Sequence, residues 1–168
     1  MIVWSRSGEA RMSVLLSEKE VRLNLGCGYR KHDGYVNIDN RKEVNPDLCC
    51  DVTEGLPYSD DSVDEVKAID FLEHIPIGKT IAVIEEIYRV LKPEGKFLHF
   101  TPSTEGRGAF QDPTHVSFWN VNSWLYYMDD LYRNLYNIKA KFRGINRNVM
   151  TQKELNVIHV YGELFAVK

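Results

Sequence analysis

Val21-Arg22-Leu23-Asn24-Leu25-Gly26-Cys27-Gly28 decides how the chain is read. A short, mostly apolar run stopped by Gly-Cys-Gly reads as a buried strand entering a tight turn. Working outward, 35–39 ends in Asp39, and 47–51 holds Leu48-Cys49-Cys50 between acids, so both are strand candidates. Residues 63–69 alternate weakly as a fourth strand, and 95–101, with Phe97, Leu98 and Phe100, form a fifth. Between them Ile81, Ile84, Ile87, Tyr88 and Leu91 recur at three- and four-residue spacing. That spacing predicts an amphipathic helix, closed by Lys92-Pro93-Glu94-Gly95. A second helix is expected from Asn120 or Ser123 to about Asn137, with Trp124, Tyr127, Met128, Leu131 and Leu135 on one stripe. Residues 139–149 and 155–167 then alternate as two strands that pair as a closing hairpin.

This order implies an α/β domain: a Rossmann-like, doubly wound, mostly parallel seven-stranded sheet with a C-terminal antiparallel hairpin. Ligands of such sheets bind outside the carboxyl ends of the strands, which places the expected site at 26–28, Asp39, Asp51 and Asp70. The 168 residues fit an arm, 1–20, and one domain, 21–168. With 43% hydrophobic and 27% charged residues, the composition excludes disordered and fibrous classes. Apolar stretches stay far below the roughly 20 residues that span a bilayer. The first residues, with Arg6, Glu9 and Arg11, lack the apolar core of a signal peptide, so a cytoplasmic location is expected. Cys27, Cys49 and Cys50 show no C-x-x-C spacing, and neither a disulfide frame nor a metal site is expected from them.

The net charge of −3 gives no argument for nucleic acid, although its distribution is uneven. From Asp47 to Glu73 nine acids face the single base Lys67, whereas 133–153 carries Arg133, Lys139, Lys141, Arg143, Arg147 and Lys153 without an acid. Such runs are usually solvated faces. The basic run would attract a phosphate or carboxylate if its strand lay beside the site.

The glycine turn can be tested against the nicotinamide fingerprint. G-x-G-x-x-G needs a third small residue at position 31, where Lys31 stands, and Asp39 follows the glycines at about half the spacing of a dinucleotide's ribose acid. The fingerprint fails, and a compact ligand lying across the first four strands fits better.

From about Val21 to Pro102 the chain resembles the class I S-adenosylmethionine-dependent methyltransferases, in particular the small single-domain, type 11-like kind. Leu23-Asn24-Leu25-Gly26-Cys27-Gly28 looks like the first motif of that family, and Asn37-Ile38-Asp39 like its second-strand acid. Asp51-Val52-Thr53-Glu54-Gly55-Leu56-Pro57-Tyr58 resembles the adenine-side stretch. Phe71-Leu72-Glu73-His74-Ile75 and Arg89-Val90-Leu91-Lys92-Pro93-Glu94-Gly95 complete the set in order. Asn24 stands where the family more often has an acid, and Arg30 where a third glycine is usual.

The resemblance implies S-adenosylmethionine as cofactor, with the turn Asn24, Gly26, Cys27 and Gly28 around its methionine end. By the same resemblance Asp39 holds the ribose hydroxyls, Asp51 the adenine amino group and the Val52 amide the ring. A main-chain carbonyl at Ile69 and Asp70 meets the ammonium.

The segment after the fifth strand, 106–119, combines Gly106 and Gly108, a turn at Asp112-Pro113, His115 and several aromatics, features of a lid over a site. An oxygen or protonated nitrogen acceptor must lose a proton, and a histidine or carboxylate in reach is the usual device. His115 is the expected base, with Asp112 or Asp70 orienting it, and His74 is the alternative. Local capping by Asp112 and His115, with Phe118 and Trp119 as core, would explain the same string without chemistry. The expected acceptor is a small polar molecule, sugar-like or anionic, rather than nucleic acid or a membrane. The competing function is a cofactor-binding partner subunit that has lost catalysis.

Overall fold

The computed structural model describes residues 20–168. The expected arm, 1–20, lies outside these residues except for Glu20. Strands β1 (Arg22–Leu25), β2 (Val36–Asp39), β3 (Leu48–Cys49) and β4 (Val63–Ile69) come first, followed by helix α1 (Thr80–Val90) and strand β5 (Leu91–Pro102). Then come the short helices α2 (Gly108–Gln111), α3 (Leu125–Met128) and α4 (Asp130–Leu135), and the hairpin β6 (Phe142–Gln152) and β7 (Val157–Ala166). The sheet has seven strands in the order β3-β2-β1-β4-β5-β7-β6, parallel through β5 and antiparallel beyond it. This is the architecture expected from the sequence.

Physical pattern accounts for the core. Leu23 and Leu25 of β1 are fully buried, as a central strand covered on both faces requires. Helix α1 buries Val83, Ile84, Ile87 and Val90, a stripe of three- and four-residue steps. The expected members Ile81 and Leu91 fall elsewhere: Ile81 is exposed, and Leu91 already pairs with Val63 as a strand residue. The fifth strand begins at Leu91 and not at Gly95 because Pro93 disfavours helical backbone in the residue before it. Lys92-Pro93 therefore starts a strand rather than a loop.

The second expected helix is broken. Asn120 opens a 3-10 turn, Val121–Trp124, through a capping box with Ser123. Asp129 then takes an extended conformation and accepts from the Leu131 amide at 2.8 Å, which ends α3 and starts α4. Adjacent Asp129 and Asp130 are both poor helix-interior residues, and their capping tendency outweighs the apolar spacing. The expected stripe splits as a result: Trp124 is 0% exposed and Tyr127 is buried, whereas Leu131 and Leu135 are 69% and 66% exposed. Around Trp124 the core is aromatic, with His99 stacked on it at 3.8 Å and Trp119 at 5.2 Å.

Candidate functional site

At the carboxyl ends of β1, β2 and β4 a cleft of ≈ 450 Å³ opens, bounded by Gly26, Asp39, Arg41, Asp51, Val52, Asp70, Phe71, His74 and Thr114. Gly26 forms its floor with φ +62°. A Cβ there would come within 2.3 Å of Phe71 Cδ2, so both the turn and the packed ring require glycine.

Asp39, 6% exposed, is held from two sides. Its Oδ2 accepts from the Gly28 amide at 2.8 Å, and its Oδ1 accepts from the Arg41 amide at 3.0 Å and from Arg41 Nε at 3.2 Å. Burial alone would raise this carboxyl, but the bonds from Arg41 and Gly28 outweigh it and keep the group below the usual carboxylate range. Oδ1 is fully subscribed by Arg41, so one lone pair on Oδ2 stays open to a hydroxyl.

Asp70, at φ +49° just beyond β4, lies between Arg30 Nη1 at 3.3 Å and His159 Nε2 at 3.6 Å. The His159 imidazole, and then Arg30, hold its carboxyl low against the burial that would raise it. Its Oδ1 makes no hydrogen bond. Asp51 lines the cleft but also caps the 3-10 turn Val52–Glu54 through the Thr53 amide.

Four of the residues expected at the cofactor do not line the cleft: Asn24, Cys27, Gly28 and Ile69. Asn24 is buried and donates to Arg30 O and Asn37 Oδ1, so it braces the turn from behind. Gly28 acts through its amide on Asp39, and Cys27 is a buried filler whose thiol burial pushes up. The positions that spacing alone did not show are Arg41, Phe71 and Thr114, together with Glu73 and His159 nearby. Arg41 left a signal as a base two residues after the strand-end acid, and Phe71 and Glu73 lie within the Phe71–Ile75 motif without a role having been read from them.

The catalytic candidates meet beside the cleft. His74 and Thr114 form its wall, whereas His115, with a side chain 7% exposed, sits behind them with its ring 5.1 Å from that of His74. Asp112 Oδ2 is 3.9 Å from His115 Nε2. The segment expected to act as a lid is pinned instead. The Val116 and Ser117 amides donate to Glu73 O at 2.9 and 3.0 Å, Ser117 Oγ donates to Leu72 O, and Trp119 bridges to Ser103. Arg107 is tied to Asn156 and Ser103 to Ile158, so the stretch around Gly106 and Gly108 is bonded to the hairpin and does not form a free hinge.

The basic run lies away from the site. None of its side chains lines the cleft, because β6 is the outermost strand, with β7 and β5 between it and β4. Lys141 and Arg133 pair with Asp130, and Arg143 with Glu94. Among the described residues no helix is long and apolar enough to cross a membrane.

Residues 32–99 match the family described as a methyltransferase domain. No curated protein matches the chain. A solved S-adenosylmethionine-dependent methyltransferase from Archaeoglobus fulgidus superposes with a TM-score of 0.63 at 14% identity, over 88% of this chain and 86% of that one. One from Methanosarcina mazei gives 0.57 at 17% identity, over 89% and 93%. The 1,6-didemethyltoxoflavin-N1-methyltransferase of Burkholderia thailandensis, solved with that substrate and S-adenosylhomocysteine, gives 0.60 at 13% identity, over 91% and 73%. At these identities the structures speak for the fold.

The chain carries the seven-stranded fold, the strand-end acids and, over residues 32–99, a match to the methyltransferase domain. Its cofactor is S-adenosylmethionine, and the donor set fits. Asp39 Oδ2 keeps a lone pair to which a hydroxyl could donate, and the carboxylates of Asp39, Asp51 and Asp70 favour cationic groups in the cleft, although Asp70 is already flanked by Arg30 and His159.

Proposed function

We propose that the chain methylates a small polar acceptor, sugar-like or anionic, which approaches over the His74–Thr114 wall of the cleft. The observation that carries this reading is the polarity of that wall, together with two arginines, Arg30 and Arg41, exposed at the rim. A planar guanidinium suits a carboxylate or phosphate. These two replace the distant basic run as the source of attraction for an anion.

S-adenosylmethionine supplies an electrophilic methyl group on a sulfonium whose sulfur leaves as a neutral thioether, so no acid is needed. The protein's task is placement. Asp39 and the Gly26 turn fix one end of the cleft, and Asp70 presents negative charge to its middle. The acceptor's proton is lost at the His74–His115 pair, which the Glu73 carbonyl holds in position through the Val116 and Ser117 amides.

The test is release of S-adenosylhomocysteine with a panel of hydroxylated, carboxylated and phosphorylated small molecules, beside a labelled oligonucleotide at physiological salt. Product with a panel member is expected. His74→Ala should lower turnover roughly 10²-fold while cofactor affinity by calorimetry is kept. Salt-sensitive micromolar binding of the oligonucleotide with no product from the panel would overturn the reading. The burial of the His115 side chain, 7% exposed, favours a second reading, a cofactor-binding subunit without turnover. It predicts cofactor binding and no product under any condition.

A further inference from the structure

Glu73, His74 and His115 each offer one ligand atom within 4.8 Å of the other two. Glu73, 2% exposed, lies beneath the wall, its Oε2 accepting from the Thr101 hydroxyl at 2.7 Å and its Oε1 making no hydrogen bond. A buried carboxylate oxygen without a partner is costly unless something binds it.

Both histidines have one tautomer imposed on them. The Thr114 hydroxyl gives its proton to Asp112 Oδ1 at 2.7 Å, so its oxygen and the Thr114 carbonyl, each 3.2 Å from His74 Nδ1, accept from Nδ1–H. The Ala109 carbonyl, an acceptor only, stands 3.1 Å from His115 Nδ1. Each ring therefore keeps Nε2 without a hydrogen bond, that of His115 lying 3.9 Å from Asp112 Oδ2, as when a backbone carbonyl orients a metal-binding imidazole.

We propose that Glu73, His74 and His115 bind one divalent ion of the zinc class, with a fourth position open toward the cleft. Two imidazole nitrogens and one carboxylate oxygen suit zinc or cobalt, whereas calcium and magnesium prefer sets made of oxygen. Bonds of 2.0–2.2 Å in a tetrahedron place ligand atoms about 3.4 Å apart. The ligand atoms, within 4.8 Å of one another, reach that spacing by closing at most about 1.4 Å. The side chains of Glu73 and His115 are buried and His74 is exposed, which leaves the open position on the His74 side, toward solvent. None of the cysteines takes part, so their spacing gave no sign of this site.

For the ion's role, though not for its binding, the inference rests on the proposed acceptor reading. With the ion bound, His74 and His115 are ligands and no longer take the proton themselves; a hydroxyl oxygen of the acceptor at the open position would instead release its proton to solvent near neutral pH, with no electron transferred.

The test titrates chelator-treated full-length protein with Co²⁺ alone, without cofactor or acceptor, followed by visible absorption and then displacement by Zn²⁺. One ion per chain is expected. Glu73→Gln and His115→Ala should each weaken binding by about 10²-fold or more, with folding checked by circular dichroism. The double variant Cys49→Ser/Cys50→Ser should bind as the native protein does. Absence of binding, retention in both Glu73→Gln and His115→Ala, or loss in the cysteine variant would overturn the site. If the buried variants fail to fold, exposed His74→Ala decides: lost affinity supports the site and kept affinity overturns it. Failure of the acceptor reading shows separately, as metal-loaded protein that yields no product from the whole panel.

Discussion

The half of the sheet from β3 to β4 and the half from β5 to β6 are built on different principles. The first consists of short parallel strands whose ends carry Gly26, Asp39 and Asp70, and its side chains are engaged in holding turns. The second consists of long antiparallel strands packed under Trp124 and Trp119; β5 buries His99, whereas the outermost strand, β6, leaves its polar side chains such as Arg143 and Arg147 exposed. The cofactor cleft belongs to the first half, while β7 and the pinned segment 114–119 of the second reach its edge through His159 and Thr114. Binding and stability should therefore come apart by mutation.

The sharpest break is Trp124→Ala. Removing this fully buried ring leaves a cavity against His99 and Trp119, at a cost of about 3–5 kcal/mol of stability in denaturant unfolding. Cofactor affinity of the folded fraction should stay near native; a matching loss of affinity would erase the division. Gly26→Ala is the converse. Its positive φ and the Phe71 contact add up to about 2–4 kcal/mol of strain, and calorimetry should find cofactor binding abolished.

Asp39→Ala should lower cofactor affinity more than tenfold, roughly 1.5–3 kcal/mol, since a charge-assisted contact is lost. Unchanged affinity would mean that Arg41 has taken this acid out of ribose binding.

The second half should also carry a pH signature. Burial lowers the His99 pKa to about 3, against an ordinary 6.5, while Asn146 Oδ1 stands 2.8 Å from its Nε2. The folded state thus binds fewer protons than the unfolded chain between these values. Stability is complete above pH 6.5 and is lost as the pH falls through that window, by about 2 kcal/mol at pH 5. Unfolding free energies at pH 7.5 and 5 should show this loss in the native protein and a smaller one in His99→Gln. The smallest effect belongs to the outer strand: Arg143→Ala, which breaks an exposed pair with Glu94, should change stability by less than about 0.5 kcal/mol.

Legibility followed the same division. Glycine turns, strand-end acids and an amphipathic stripe are local, because a few neighbouring residues settle backbone angles and exposure; from them the sheet, its hairpin and the positions of Gly26, Asp39, Asp51, Val52, Asp70 and His74 could be read. Where two local tendencies competed, spacing misled. Leu131 and Leu135 continue an apolar stripe, yet Asp129 caps instead and turns them to solvent.

The rest depends on residues far apart in the chain. That Arg41 saturates Asp39 Oδ1, that Asn24 braces the turn from behind, and that the basic run ends on the outermost strand all follow from strand order. The pairing of His74 with His115 over the buried Glu73 spans about forty residues. Only the folded sheet decided it, by bringing the ends of β4 and β5 side by side so that the Glu73 carbonyl could bind the amides of Val116 and Ser117.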